Sequence, residues 1–170
     1  GTGSDLARTL NLPDDLESAV QKLIGKDVRT LDVGKAEFAT AGGETLNRHF
    51  INIANFGLVG DVMKRVNRSF KPLGGNAAYQ WSTIVSLARH KSRKVSIEIE
   101  GREHAEASLL NFIVANGAYF GSGMKCAPNA EIDDGLFETI QINDLGFFQA
   151  LVNLRKFTSG EHLTHPKVKY

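Results

Sequence analysis

Cysteine is all but absent from this chain of 170 residues, where Cys126 stands alone. One thiol cannot close an internal disulfide, so packing and hydrogen bonds must hold the fold, as suits a reducing cytosol. Long apolar runs are lacking too. No stretch approaches the roughly 20 residues that span a bilayer, and the first residues carry no signal-peptide core. Nor is there an excess of charge: 20 Lys and Arg against 19 Asp and Glu leave +1. With no global field to attract a polyanion, nucleic acid is a poor partner. Repeats, low-complexity tracts and long linkers are missing as well. The expectation is a cytoplasmic globular domain, peripheral to a membrane at most.

Glycine, by contrast, is placed with purpose. Asn116 to Leu136 reads NGAYFGSGMKCAPNAEIDDGL. It leaves an apolar strand (Leu109, Leu110, Phe112, Ile113, Val114) and passes Gly117, Gly121, Gly123 and Pro128. It ends at the adjacent carboxylates Asp133 and Asp134 before Gly135 and a second apolar strand. Asp-Asp-Gly is a good turn in its own right, because Asp bonds its own backbone there. A long punctuated connection where four residues would serve points instead to function. The pattern alone leaves the two readings even.

Other elements follow from periodicity. Leu6, Leu10 and Leu12 suggest a short helix stopped by Pro13. Asp14 or Asp15 caps a second helix through Leu16, Val20, Leu23 and Ile24, ended by Gly25. Residues 26–55 change to period two, and ATAGGETLNRHFINIAN forms a hairpin. Helices are expected at Leu58–Val66 and Ala77–Arg89, the latter carrying Trp81, which reads as core. Val95, Ile97 and Ile99 mark a strand that turns back at Gly101. Asp144 caps a last helix, with Phe147, Phe148, Leu151, Leu154 and Phe157 toward the core. The fold class is mostly β (α+β), an antiparallel sheet domain with flanking helices. Both ends read as interrupted motifs, as in a piece of something larger.

Three further clusters carry chemistry or its imitation. Gly1-Thr2-Gly3-Ser4-Asp5 opens a helix and suits a phosphate, although a carboxylate at a helix start is also favoured by the dipole. Arg89 to Lys94 is the densest charge run, extended by Lys64, Arg65, Arg68 and Lys71. It is a solvated loop end or an attraction to an anionic membrane face. Glu161-His162 and His165-Pro166 only imitate a metal motif, because order and proline are wrong for helical ligation. No metal ligands are assigned. Cys126 reads as a small buried residue.

Four segments, in order, carry a resemblance: GTGSDLAR with the following Leu-Pro, INIANFGLVGDVMKRVN, NGAYFGSGMKCAPNAEIDDGLFE and GEHLTHPKVKY. Together they resemble the bacterial branch of the diacylglycerol kinase/sphingosine kinase lipid kinase family. The resemblance implies the second, β-sandwich-like domain of an NAD kinase/diacylglycerol kinase-like two-domain fold. Residues 1–25 would be the remnant of the nucleotide-side motif, and 26–170 the lipid-substrate domain, truncated at its C-terminus. The GGDGT nucleotide motif and the final strands of such proteins are not in this chain. ATP and Mg2+ are the implied cofactors, and a lipid alcohol such as diacylglycerol the implied substrate. Asp134 matches the proposed catalytic base, and Asp5 the aspartate that organises phosphate and magnesium. Thr2 and Gly3 match the nucleotide-facing turn, with Ser4 where the family commonly has Asn. Lys94 stands where some relatives hold a structural magnesium through an aspartate. A nucleotide-binding domain is the implied partner, without which the chain would be inactive, while peripheral membrane contact and homodimerisation are left open. The competing readings are a non-catalytic lipid-binding module and an NAD kinase-like small-molecule kinase.

Overall fold

The computed structural model describes residues 3–25, 28–68, 75–100, 102–154 and 156–170. Thr2, Lys71 and the Gly101 turn therefore lie outside the described residues. Helix α1 spans Asp5–Thr9 and α2 spans Leu16–Ile24. Asp15 caps α2 by accepting from the Ser18 amide at 2.8 Å. The Gly25 amide closes the last turn on the Gln21 carbonyl at 3.0 Å. Leu16, Leu23 and Ile24 on α2 face solvent.

Strands β1 (Gly34–Ala39) and β2 (Thr45–Phe50) form an antiparallel hairpin with Gly34 opposite Phe50. Gly34 is required there, because any Cβ would run into the Phe50 ring. A bend at Ile51 and Asn52 breaks the expected continuous strand, and β3 (Ile53–Gly57) joins a different sheet. That second sheet is built around β5 (Arg102–Ala115), a single strand of 14 residues. On one edge β5 pairs with β8 (Glu138–Asn143), which pairs in turn with β9 (Val168–Lys169). Along its other edge β3 covers 111–115 and β4 (Arg93–Ile99) covers 102–109. All of these pairings are antiparallel.

From Leu109 to Ala115 both faces of β5 are buried, which explains why this half of the strand reads as a nearly unbroken apolar run. Ile113 and Ala115, with Ile140 and Ile142 of β8, pack under helices α3 (Leu58–Arg68), α4 (Gly75–Arg89) and α5 (Phe147–Leu154). Leu109 and Phe112 pack on the opposite face with Ile97. A groove of about 830 Å³ separates that face from the β1–β2 hairpin, lined by Phe38, Phe50, Phe56, Val114 and Phe137. Two sheets with helices over one side make the antiparallel, sandwich-like α+β architecture expected from the sequence.

The helices differ from expectation in detail. Trp81 is 66% exposed and Phe148 79% exposed, so neither is core. Helix α4 turns Ser82, Thr83, Ser86 and Leu87 inward instead. Small hydroxyl side chains let α4 approach closely: Thr83 donates to the Tyr79 carbonyl at 2.9 Å and Ser86 accepts from Arg65 Nε at 3.4 Å, while the buried Ser82 hydroxyl has no partner among the described residues. Asp144 does not cap the last helix. Its Oδ1 accepts from the Ser92 hydroxyl at 2.6 Å, linking it to the start of β4, and α5 begins three residues later at Phe147. A separate short helix, α6, spans Lys156–Ser159, and a 3-10 turn follows at Glu161–Thr164. No helix among the described residues is long and apolar enough to cross a membrane.

Candidate active site

The loop from Asn116 to Leu136 is tied down along its whole length. At its root the Asn116 side chain is fully buried. Its Nδ2 donates to the Asp32 carbonyl at 3.0 Å and the Ile51 carbonyl at 3.1 Å. The amides of Asn116 and Gly117 both donate to the Asn52 carbonyl, at 2.8 and 3.0 Å. Gly117 admits no side chain, since a Cβ would collide with Asn52. Next, Ala118 donates to the Thr9 hydroxyl of α1 at 3.2 Å.

A two-residue hairpin, β6 (Tyr119–Phe120) against β7 (Met124–Lys125), carries the tip. Gly121, Ser122 and Gly123 turn through φ of 60°, 68° and 102°, all in the left-handed region. Three such residues in succession point their amides outward together. Asp5 takes two of them: Oδ1 accepts from Gly123 at 2.7 Å and Oδ2 from Ser122 at 3.1 Å. Its side chain is only 14% exposed, and Arg8 flanks it at 3.9 Å. Gly3 lies against this clamp, where a Cβ would approach the Asp5 carboxylate to 2.9 Å. Ser4 makes no side-chain cap bond to α1. The Tyr79 hydroxyl of α4 sits beside Gly121, its pKa raised by burial and further by the Asp5 charge.

Beyond the tip the chain dives inward. Cys126 and Ala127 are fully buried. Burial pushes the Cys126 thiol up to about 12, so it is inert at neutral pH. The fully buried His162, from the 3-10 turn, donates through Nε2 to the Cys126 carbonyl at 2.9 Å. Gly160 packs on Pro128, close enough that a Cβ would lie 2.7 Å from its ring. The segment that looked like a broken metal motif is thus a buttress under the loop.

The loop then surfaces at Asp133 and Asp134, both exposed. Asp134 Oδ1 accepts from the Leu136 amide at 2.9 Å, a local turn that fixes its side chain. The Gly135 amide donates to Asp32 Oδ2 at 2.8 Å. Asp32 also donates its own amide to the Ile132 carbonyl at 2.8 Å. No sequence signal marks Asp32, a lone aspartate between Leu31 and Val33 in an extended segment. Asp5 therefore holds the tip of the loop, while Asp134 stands near its far end. Thr2 is outside the described residues, and Lys94 lies on β4, paired with Ser108.

The model of the YegS C-terminal NAD kinase beta sandwich-like domain matches residues 52–170, more than half of the chain. The chain belongs to this family. Diacylglycerol kinases of several Staphylococcus aureus strains, JH9 and Newman among them, are 30% identical to it over 175 residues. The alignment takes in all of this chain and 51% of those proteins, so the YegS-type chain spans about half the length of the curated relatives it matches. A solved structure from Bacillus anthracis, described as a candidate diacylglycerol kinase, superposes with a TM-score of 0.68 at 25% identity, over 99% of this chain and 51% of that one. A second, described as a diacylglycerol kinase, shares the fold at a TM-score of 0.52 and 21% identity, over 94% and 44%. The loop clamped by Asp5, Asp32 and His162 lies within the matched span of this YegS-type domain. Its tip hairpin also borders an apolar cavity of about 70 Å³. Phe120 and Met124 of the loop, Leu58 and Val62 of α3, Leu87 of α4 and Leu145 all line it.

Proposed function

We propose that this domain is the substrate-side half of an ATP-dependent kinase acting on a lipid hydroxyl, of the diacylglycerol class. The observation that carries the reading is the double duty of one loop. Its tip hairpin walls an apolar cavity while its far end presents Asp133 and Asp134 to solvent. A molecule with a greasy body and a hydroxyl head matches that order. The names of the Staphylococcus and Bacillus relatives point the same way. At about 70 Å³ the cavity is far smaller than an ordinary ligand pocket of about 300–1,000 Å³, so an acyl chain enters only as α3 and α4 part.

Phosphoryl transfer asks mainly for positioning, charge neutralisation and one base at the attacking hydroxyl. Asp134 is the assigned acceptor-side carboxylate: one oxygen is fixed by the Leu136 amide and the group is exposed. Asp5, with both oxygens turned to loop amides, positions the tip. The nucleotide and its phosphate contacts come from a second domain, with residues 1–25, including Thr2 and Gly3, on that side. Mg2+ would neutralise charge on the transferred phosphoryl group. No three His, Cys, Asp or Glu side chains converge among the described residues. An ion held mainly by phosphates and water, with Asp133 as a single protein ligand and Asp134 left as base, is compatible with these residues.

The test uses the two-domain protein with ATP and diacylglycerol. Asp134→Asn is expected to lower turnover by about 10²–10⁴-fold, the usual worth of a general base. Turnover near wild-type removes Asp134 from the reaction. Wild-type protein that binds lipid without phosphorylating it supports a binding module, and phosphorylation of NAD alone supports the small-molecule kinase.

A cationic groove supports contact with a membrane. It consists of two adjoining pockets: Lys64 and Arg89 line both, Lys91 and Arg93 one, Arg65 and Arg68 the other, and Asp61 is the carboxylate they share among the described residues. Each cation near an anionic leaflet contributes about 1 kcal/mol. Diacylglycerol in vesicles containing anionic phospholipid should be phosphorylated faster than in neutral vesicles, with the difference suppressed by salt. Equal rates on both would exclude this surface from membrane binding.

A further inference from the structure

We propose that Asp32 is the positioning residue for the Asp134 carboxylate, acting through the Gly135 amide. The inference rests on the reading of Asp134 given above. It begins from Gly135, which sits at φ +77° with nothing within 4 Å of where a Cβ would be. Glycine in open space can take either sign of φ at little cost. Sterics therefore do not choose the orientation of the peptide planes on either side of it, and hydrogen bonds must. Two successive amides do so. Gly135 donates to Asp32 Oδ2 at 2.8 Å, and Leu136 donates to Asp134 Oδ1 at 2.9 Å.

The second of these bonds is local and turns with the peptide. The first reaches to a residue 103 positions earlier and anchors the turn to a fixed frame. Asp32 is itself fixed at its backbone, donating to the Ile132 carbonyl at 2.8 Å and accepting from the buried Asn116 side chain at 3.0 Å. Its carboxylate thus ties the aspartate turn to the root of the same loop. If it is removed, the 134–135 peptide is free to flip and Asp134 loses its aim.

In the two-domain protein, Asp32→Ala should lower kcat for lipid phosphorylation about 10–100-fold, as misplacement of a reacting group does, with KM for ATP and lipid within about twofold. Asp32→Asn keeps a carbonyl oxygen for the Gly135 amide and should recover most of the rate. Combined with Asp134→Asn, Asp32→Ala should cause no further loss. Amide hydrogen exchange gives a readout independent of activity: peptides covering 132–136 should exchange at least about tenfold faster in Asp32→Ala than in wild-type or Asp32→Asn. Unchanged exchange overturns the proposal whatever the rates show. Faster exchange with unchanged kcat also overturns it, provided Asp134→Asn is itself impaired. If Asp134→Asn is fully active, the base assignment is what fails. The positioning role then fails with it, leaving Asp32 as a turn anchor.

Discussion

Asp5→Ala is expected to lower turnover of the two-domain protein by about a hundredfold, the scale on which an ångström of misplacement acts. Asp5→Asn should do almost as badly. Both Asp5 oxygens accept, one from Gly123 and one from Ser122. An asparagine offers one oxygen and must set its NH2 against the other amide, donor facing donor. An amide left without an acceptor in a half-buried place costs about 1–3 kcal/mol. The clamp matters most at Ser122, a non-glycine residue at φ 68° that is disfavoured there without outside support. The contrast with Asp32, where one oxygen does the holding and Asn should suffice, makes the pair diagnostic. An Asp5→Asn enzyme with wild-type kcat would remove the two-point clamp from the account.

His162→Ala should destabilise the fold by about 3 kcal/mol, read as a lower denaturation midpoint. The change opens a cavity and strips the Cys126 carbonyl of its donor. Acid should expose the same dependence. Burial holds the imidazole pKa below its ordinary value of 6.5, and the Cys126 and Lys156 carbonyls, which favour the charged form, do not overcome it. The folded state therefore prefers neutral His162, and the unfolded chain binds the proton first as pH drops. The stabilisation is complete above about 6.5 and is lost as pH falls through the lower folded pKa. Urea midpoints should decline over that window in the wild-type and flatten in His162→Gln, which is weaker throughout. Parallel declines in both would show that other groups carry the acid sensitivity.

Local chemistry was legible and distant chemistry was not. Asp15 and Gly25 mark the ends of α2 because both act within four residues of themselves. The glycine loop was visible by composition, since left-handed turns select glycine at Gly121, Gly123 and Gly135. Its anchors were invisible. Asp5 meets Ser122 across 117 positions, and nothing near Asp32 announces that it serves Gly135. Asp5 looked like a residue beside a helix dipole, yet its bonds run to another part of the fold. Trp81 and Phe148 misled for a related reason. Helical periodicity gives a stripe but not which neighbour covers it, and here serine and threonine won the inward face of α4. Asp144 resembled a cap until Ser92, 52 residues earlier, claimed its oxygen.

The placement of β3 and β4 has a mechanical meaning for the helix pair between them. Both strands bond to the same edge of β5, end to end. Helices α3 and α4 thus leave the sheet at Gly57 and return to it at Arg93 as an excursion from one continuous rail. Gly57, at φ +115°, makes the departure turn, where any Cβ would run into the Leu110 carbonyl. The ladder beneath never passes through the helices, so its bonds do not depend on how far the pair stands from the sheet. Any displacement of the pair would therefore alter the cavity below it without breaking the rail or shifting the loop that β5 feeds.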